Sequence, residues 1–182
     1  MNNYDLVFDS AFSRKDQETL YNLLQESEAV WLRSESLGHI AFGSSFQIDN
    51  CNINNNLTLH TWRKKFSSLV WDIASKNIPN IKLDSLSVQA FPVLMKVKDL
   101  ELQPGQHKHI DSHKGVHPFM TCVYYAEVVN VSGGELIAYL KDRELKIAPK
   151  SNRLVIIPGD TPHEVLPMSS GIRLSYVCNF YK

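Results

Sequence analysis

The sequence predicts a mainly β chain with helices at its N-terminal end. From about residue 85 onward, short runs rich in β-branched and aromatic residues follow one another, separated by Gly, Pro, Asn and Asp. No helical stripe interrupts these runs, which argues for an antiparallel sandwich or barrel over a parallel α/β sheet. Before residue 85 the apolar period is helical, so helices are expected to cover one of the sheets.

The first helix starts at Ser13, with Asp16 three residues on as in a capping box. Leu20, Leu23, Leu24 and Trp31 then recur at helical spacing. A Gly/Ser/Asn-rich stretch, 42–56, reads as loop with room for one short strand. The second helix carries one stripe of Leu59, Trp62, Phe66, Leu69, Val70 and Ile73, and Pro79 closes it. "RKK" at 63–65 reads as its solvated side. The strand runs are "LSVQAFPVLMKV", "HKHID", "FMTCVYYAEV", "GELIAYL", "RELKIA", "NRLVIIPG" and "RLSYVCNFY". One domain is expected over 1–182, with 1–84 as helical support and 85–182 as the β core.

Composition narrows the function. Lys+Arg and Asp+Glu both number 19, so net charge gives no reason to expect nucleic acid or anionic membrane as a partner. Cys51, Cys122 and Cys178 form neither a CxxC pair nor an even disulfide set, which suits a reducing cytoplasm. The first ten residues lack a signal-peptide layout, and no apolar run reaches membrane-spanning length.

Strand alternation splits 173–180 into two faces. Arg173, Ser175, Val177 and Asn179 share one, and Leu174, Tyr176, Cys178 and Phe180 share the other. Likewise Thr121, Val123 and Tyr125 oppose Cys122, Tyr124 and Ala126. The polar face points either to water or into a pocket, and periodicity does not choose between them.

The densest chemistry is "HKHIDSH" at 107–113. Residues i and i+2 of a strand project to one side, so His109 with Asp111, or His107 with His109, can share an ion. His163 in "PGDTPHEV" offers a further ligand. Two histidines and a carboxylate suit non-haem Fe(II), whereas three histidines suit a cupin-type site. His107, His113 and His117 read as surface or loop histidines. Arg173 and Ser175 follow ten and twelve residues after His163. A buried Arg there needs an anionic partner, and its planar fork matches a carboxylate.

The ordered set "HID…TCVYYAEV…SGGELIAYL…NRLVIIPGDTPHEVLP…GIRLSYVCNFY" resembles the catalytic core of the Fe(II)/2-oxoglutarate dioxygenases, most closely the prolyl-hydroxylase branch. The resemblance runs from about residue 100 to 181. It implies a double-stranded β-helix, or jelly roll, with Fe(II) on His109, Asp111 and His163. It implies a 2-oxoglutarate carboxylate held by Arg173 and Tyr125, with Ser175 beside them, and it turns the polar faces inward. Fe(II), 2-oxoglutarate and O2 are then required, with room for ascorbate as an accessory. The implied reaction hydroxylates an unactivated C–H bond of a prolyl residue or a small amino-acid-like metabolite, releasing succinate and CO2. Asp111 fills the position that related halogenases free for chloride. Three departures stand near the pocket: Gln103 where a tyrosine is common, a shortened linker from "PG" to the HxD, and Asn179 where a late aromatic is expected. The alternative is a cupin-type isomerase or dioxygenase on His107, His109 and His163. That reading lacks the glutamate expected after an HxH, because position 113 is His, and it leaves Arg173 without a role.

Overall fold

The computed structural model describes residues 6–26, 57–78, 86–97, 105–113 and 115–182. Trp31, Cys51, the 42–56 stretch, Pro79 and Gln103 lie outside the described residues. Among the described residues two helices, α1 (Arg14–Gln25) and α2 (Leu57–Ala74), accompany nine strands. The strands are β1 (Leu6–Asp9), β2 (Ser87–Lys96), β3 (Gln106–His109), β4 (Met120–Gly133), β5 (Leu136–Tyr139), β6 (Glu144–Ile147), β7 (Arg153–Pro158), β8 (His163–Val165) and β9 (Met168–Tyr181).

All pairings are antiparallel. The larger sheet runs β1-β7-β4-β9-β2 and the smaller β3-β8-β5-β6. This two-sheet jelly roll is the fold expected from the strand runs. β1 was not among the expected strands. It is a four-residue edge strand paired to β7, too short to show a period. β8 has only three residues and was visible only as the stretch that carries His163.

Ser13 caps α1: its hydroxyl accepts from the Asp16 N–H (3.2 Å) and donates to the Asp16 carboxylate (2.6 Å). Leu20 and Leu24 point inward from α1; Trp62, Phe66 and Val70 do so from α2. They pack on Cys122 and Tyr124 of β4, Leu154 and Ile156 of β7, and Tyr176, Cys178 and Phe180 of β9. A second apolar cluster fills the space between the sheets, with Met95, Tyr125, Leu136, Val155, Ile157 and Met168 among its members. The pleat of β4 and β9 therefore faces two interiors: along the pairing from Met120 to Tyr125 the side chains are buried, apart from half-buried Val123 and Val177.

The "RKK" segment is less solvated than expected. Lys65 pairs with Asp16 at 2.8 Å and so ties α2 to α1, and the Arg63 Nε donates to the Ala90 carbonyl at 3.1 Å. Only Lys64 is simply exposed. Long basic side chains can lie along a packed helix and still reach a polar partner.

Phe66 is 0% exposed and its ring lies 5.4 Å from Trp62 and 5.6 Å from Tyr176. Phe66→Ala should cost about 3–5 kcal/mol. Urea unfolding should show a lower midpoint at an unchanged slope. A cost under about 1 kcal/mol would mean that α2 does not seal this sheet.

Candidate active site

A cavity of about 200 Å³ lies between the sheets. Polar side chains stand at its two ends, and Val123, Leu136, Val165 and Val177 line the walls between them.

At one end are His109, Asp111 and His163, whose ligand atoms all lie within 4.8 Å of one another. His109 ends β3 and His163 begins β8, and the two are register partners. Each imidazole is fixed in the same way. His109 Nδ1 donates to the His107 carbonyl (2.8 Å), and His163 Nδ1 donates to the Thr161 carbonyl (2.9 Å). Both Nε2 atoms are thereby turned to Asp111, at 3.3 Å from His109 and 3.8 Å from His163. The Thr121 hydroxyl donates to Asp111 Oδ2 at 3.2 Å, and the buried Asn179 side chain helps to hold the carboxyl pKa below its ordinary value. Three lone-pair donors thus converge, with the outer contacts that orient metal-binding histidines and carboxylates. A cation satisfies this arrangement, and imidazole with carboxylate suits a first-row metal.

The electrostatics of the cluster point the same way. Burial pushes the Asp111 carboxyl up, but the His109 hydrogen bond and the facing imidazoles outweigh it and hold the pKa below the ordinary value. Burial pushes His109 down, while the Asp111 contact more than offsets this and raises it. His163 is more enclosed, and there burial wins and lowers the pKa.

His107 is not part of the cluster. The register between β3 and β8 shifts between Gln106 and His109, and this bulge breaks the two-residue alternation. His107 and Lys108 are exposed, while Gln106 and His109 both line the cavity. Among the described residues, a His107/His109/His163 cupin site therefore does not assemble, and His107 serves through its carbonyl. His117 is exposed, with its Nδ1 on the Asp111 carbonyl at 2.9 Å.

Arg173 occupies the other end and is 3% exposed. Its Nη1 donates to the Gly134 carbonyl (2.8 Å), and its Nη2 lies 2.8 Å from the Met95 sulfur. Gly134 takes a φ of +73°, which suits glycine and aims that carbonyl inward. Among the described residues no carboxylate pairs with this guanidinium. The Arg173 Nε, Tyr125 Oη and Ser175 Oγ are buried without any hydrogen-bond partner. Tyr125 and Ser175 are direct register partners on β4 and β9. Buried polar groups are normally satisfied, and an unpaired buried cation is costly. One carboxylate placed here would settle the guanidinium and both hydroxyls.

Two residues at the metal end were given no role by sequence reasoning. Thr121 shares the alternating face of Tyr125, so its inward aim was legible although its bond to Asp111 was not. Gln106 was hidden by the bulge. Its Nε2 lies 3.0 Å from His109 Nε2.

Comparisons with known proteins agree with this geometry. Residues 97–181 match the sequence model of the 2OG-Fe(II) oxygenase superfamily. No curated protein sequence matches the chain. Among solved structures, a Trichoplax adhaerens prolyl hydroxylase, in complex with a hypoxia inducible factor oxygen degradation domain peptide, superposes with a TM-score of 0.63 at 17% identity. That match covers 99% of this chain and 84% of that one. A Pseudomonas putida prolyl-4-hydroxylase gives 0.66 at 17% identity, covering 98% and 92%. A Burkholderia pseudomallei 2OG-Fe(II) oxygenase-family oxidoreductase gives 0.69 at 14%, covering 97% and 84%. Residues 97–181, a little under half of the chain, are thus similar to the 2OG-Fe(II) oxygenases, dioxygenases that use Fe(II), 2-oxoglutarate and O2. The fold of the chain is the one these prolyl hydroxylases have.

Alanine at His109, Asp111 or His163 should abolish stoichiometric Fe(II) binding, measured by anaerobic calorimetry. His107→Ala should bind within about threefold of wild type, because only its carbonyl is used. Loss of binding in a folded His107→Ala protein would restore the three-histidine site.

Proposed function

We propose that His109, Asp111 and His163 hold Fe(II), and that Arg173, Tyr125 and Ser175 hold the far carboxylate of 2-oxoglutarate. The enzyme then hydroxylates an unactivated C–H bond of a prolyl residue or a small amino-acid-like metabolite. A substrate C–H bond, 2-oxoglutarate and O2 become C–OH, succinate and CO2. The observation that carries this reading is the buried, carboxylate-free Arg173 in the same small cavity as the His/Asp/His cluster.

When bound, Fe(II) with 2-oxoglutarate supplies the activation of O2 that C–H oxidation needs. The chain's own residues supply position and environment. The two Nδ1–H bonds to backbone carbonyls keep both imidazoles in the tautomer whose Nε2 is free to ligate. Thr121 hydrogen-bonds the Asp111 carboxylate and so helps to fix it. Arg173 orients the cosubstrate from its far end, where a planar fork fixes direction as well as charge. Val123, Leu136, Val165 and Val177 keep the space between dry, which strengthens each polar contact within it. At about 200 Å³ the cavity is smaller than the roughly 300–1,000 Å³ of drug-sized ligand pockets. It suits a five-carbon dicarboxylate, and the substrate would reach in from its mouth.

The Trichoplax adhaerens structure holds a peptide, which supports a peptidyl substrate as one of the two classes. Two further readings belong here. Residues 1–182 act as one oxygenase unit in which α1 and α2 back the larger sheet. Cys122 and Cys178 face each other across β4 and β9 as free thiols, which favours a reducing, cytoplasmic setting.

Arg173→Ala should weaken 2-oxoglutarate binding to the anaerobic Fe(II) protein by about 10²- to 10³-fold, since charged hydrogen bonds and a buried charge are both lost. Arg173→Lys should recover part of that, and Tyr125→Phe should cost about tenfold or less. Fe(II) affinity should be unchanged throughout. An Arg173→Ala protein that binds 2-oxoglutarate as wild type does would remove the cosubstrate assignment. Succinate release stimulated by proline-containing peptides or by free amino acids would then separate the two substrate classes.

A further inference from the structure

We infer that Tyr139 is a positioning residue for the metal site, acting from the outer face of the smaller sheet. It ties the chain neighbours of His109 and His163 to one another and so sets how the two imidazoles approach. This rests on the metal reading given under Proposed function.

The first support is where the contacts of Tyr139 fall. It ends β5, next to Ala138, which is the register partner of His163. Its backbone N–H donates to the Pro162 carbonyl at 2.9 Å, and its hydroxyl donates to the Glu164 carboxylate. Both residues that flank His163 are therefore held by one residue. The Lys108 ammonium lies 3.4 Å from the centre of the Tyr139 ring, a cation–π contact, and Lys108 directly precedes His109. Lys108 is exposed and Glu164 half-buried, whereas His109 and His163 line the cavity. The outward side chains are thus joined behind the inward ones, and neither Lys108, Tyr139 nor Glu164 lines the cavity.

The second support is the weakness of the ladder at this point. Among the described residues β3 has only β8 as a neighbour in its sheet. Two register pairs join them, Gln106 with Val165 and His109 with His163, and the bulge lies between the two. A bulge disrupts the ladder locally, so backbone pairing alone fixes His109 poorly. β5 is better anchored, being paired to β6 on one side and β8 on the other. Lys108 reaches over β8 to this anchored strand, a span of about 10 Å for two strand spacings. Ligand atoms have to be held to within about 0.5 Å for a site to be productive. Contacts behind metal ligands commonly change affinity by about ten- to a hundredfold.

Anaerobic Fe(II) titration of the full chain tests this, with urea unfolding of the same variants alongside. Tyr139→Leu should bind Fe(II) about ten- to a hundredfold more weakly. Its unfolding midpoint should stay near that of wild type, because Tyr139 belongs to neither apolar cluster. Tyr139→Phe keeps the ring and should lose about three- to tenfold. Lys108→Met separates a tie from simple electrostatics. Removing a positive charge near the site favours a dication by Coulomb's law, so charge alone predicts tighter binding. The tie predicts binding about three- to tenfold weaker. Lys108→Arg should stay within about twofold of wild type, since a guanidinium also stacks on an aromatic face. Lys108 is exposed, so its two variants decide the matter even if Tyr139→Leu does not fold. Unchanged affinity in Tyr139→Leu, or unchanged or tighter binding in Lys108→Met, overturns the inference. So does a lowered unfolding midpoint in every variant that binds weakly, which would mean a general loss of fold. If His163→Ala abolishes Fe(II) binding while Tyr139→Leu keeps it, the metal reading stands and this inference alone fails. If wild type binds no Fe(II), both fall.

Discussion

The pleat of β4 and β9 has two interiors to serve at once. Cys122 and Tyr124, with Tyr176, Cys178 and Phe180, form the floor for the helices. The residues between them, Thr121, Val123 and Tyr125 with Arg173, Ser175 and Val177, line the cavity. Because side chains alternate with a period of two, a one-residue slip would carry Arg173 into an aromatic core and Tyr176 into the cavity. The aromatic packing of Phe12, Trp62, Phe66, Tyr124 and Tyr176 therefore does more than stabilise. It pins the register that places the polar groups.

Within the cavity two electrostatic deficits of opposite sign face each other. At the β3/β8 end, acceptors converge with no cation among them. At the Gly134 end, a guanidinium and two hydroxyls have no anion. Each deficit alone has a local remedy, a proton shared between His109 and Asp111 or contacts from Gly134 and Met95 to Arg173. Together in one small apolar enclosure they support the proposed ligand set, a metal at one end and a carboxylate at the other. That pairing separates this site from a metal centre that works without an organic cosubstrate.

Much of this was legible in the chain, and the reasons differ by element. The alternation of 173–179 and 121–125 gave both faces correctly, because regular strands obey the period. The HxD and the later histidine sit at the ends of β3 and β8 and the RxS lies within regular β9, so in each case sequence spacing maps simply onto space and gave the family resemblance. The bulge between Gln106 and His109 was not legible. It inserts a residue without a Gly or other marker, so spacing alone left His107 open as a partner for His109 in the cupin alternative, and Gln106 was given no role. β1 escaped notice because four residues carry too little pattern, and its place depends on partners over 140 residues away. Lys65 and Arg63 escaped for a related reason: their contacts with Asp16 and Ala90 are tertiary and leave no periodic trace.

The central claim is that this cavity joins Fe(II), 2-oxoglutarate and O2 in one turnover. The most direct measurement supplies ¹⁸O2 to the anaerobic Fe(II)/2-oxoglutarate protein and analyses the succinate formed. The account requires succinate carrying one labelled oxygen, formed in equal amount with CO2, and none from the Asp111→Ala protein. Unlabelled succinate, or labelled succinate from Asp111→Ala at the wild-type rate, would contradict it.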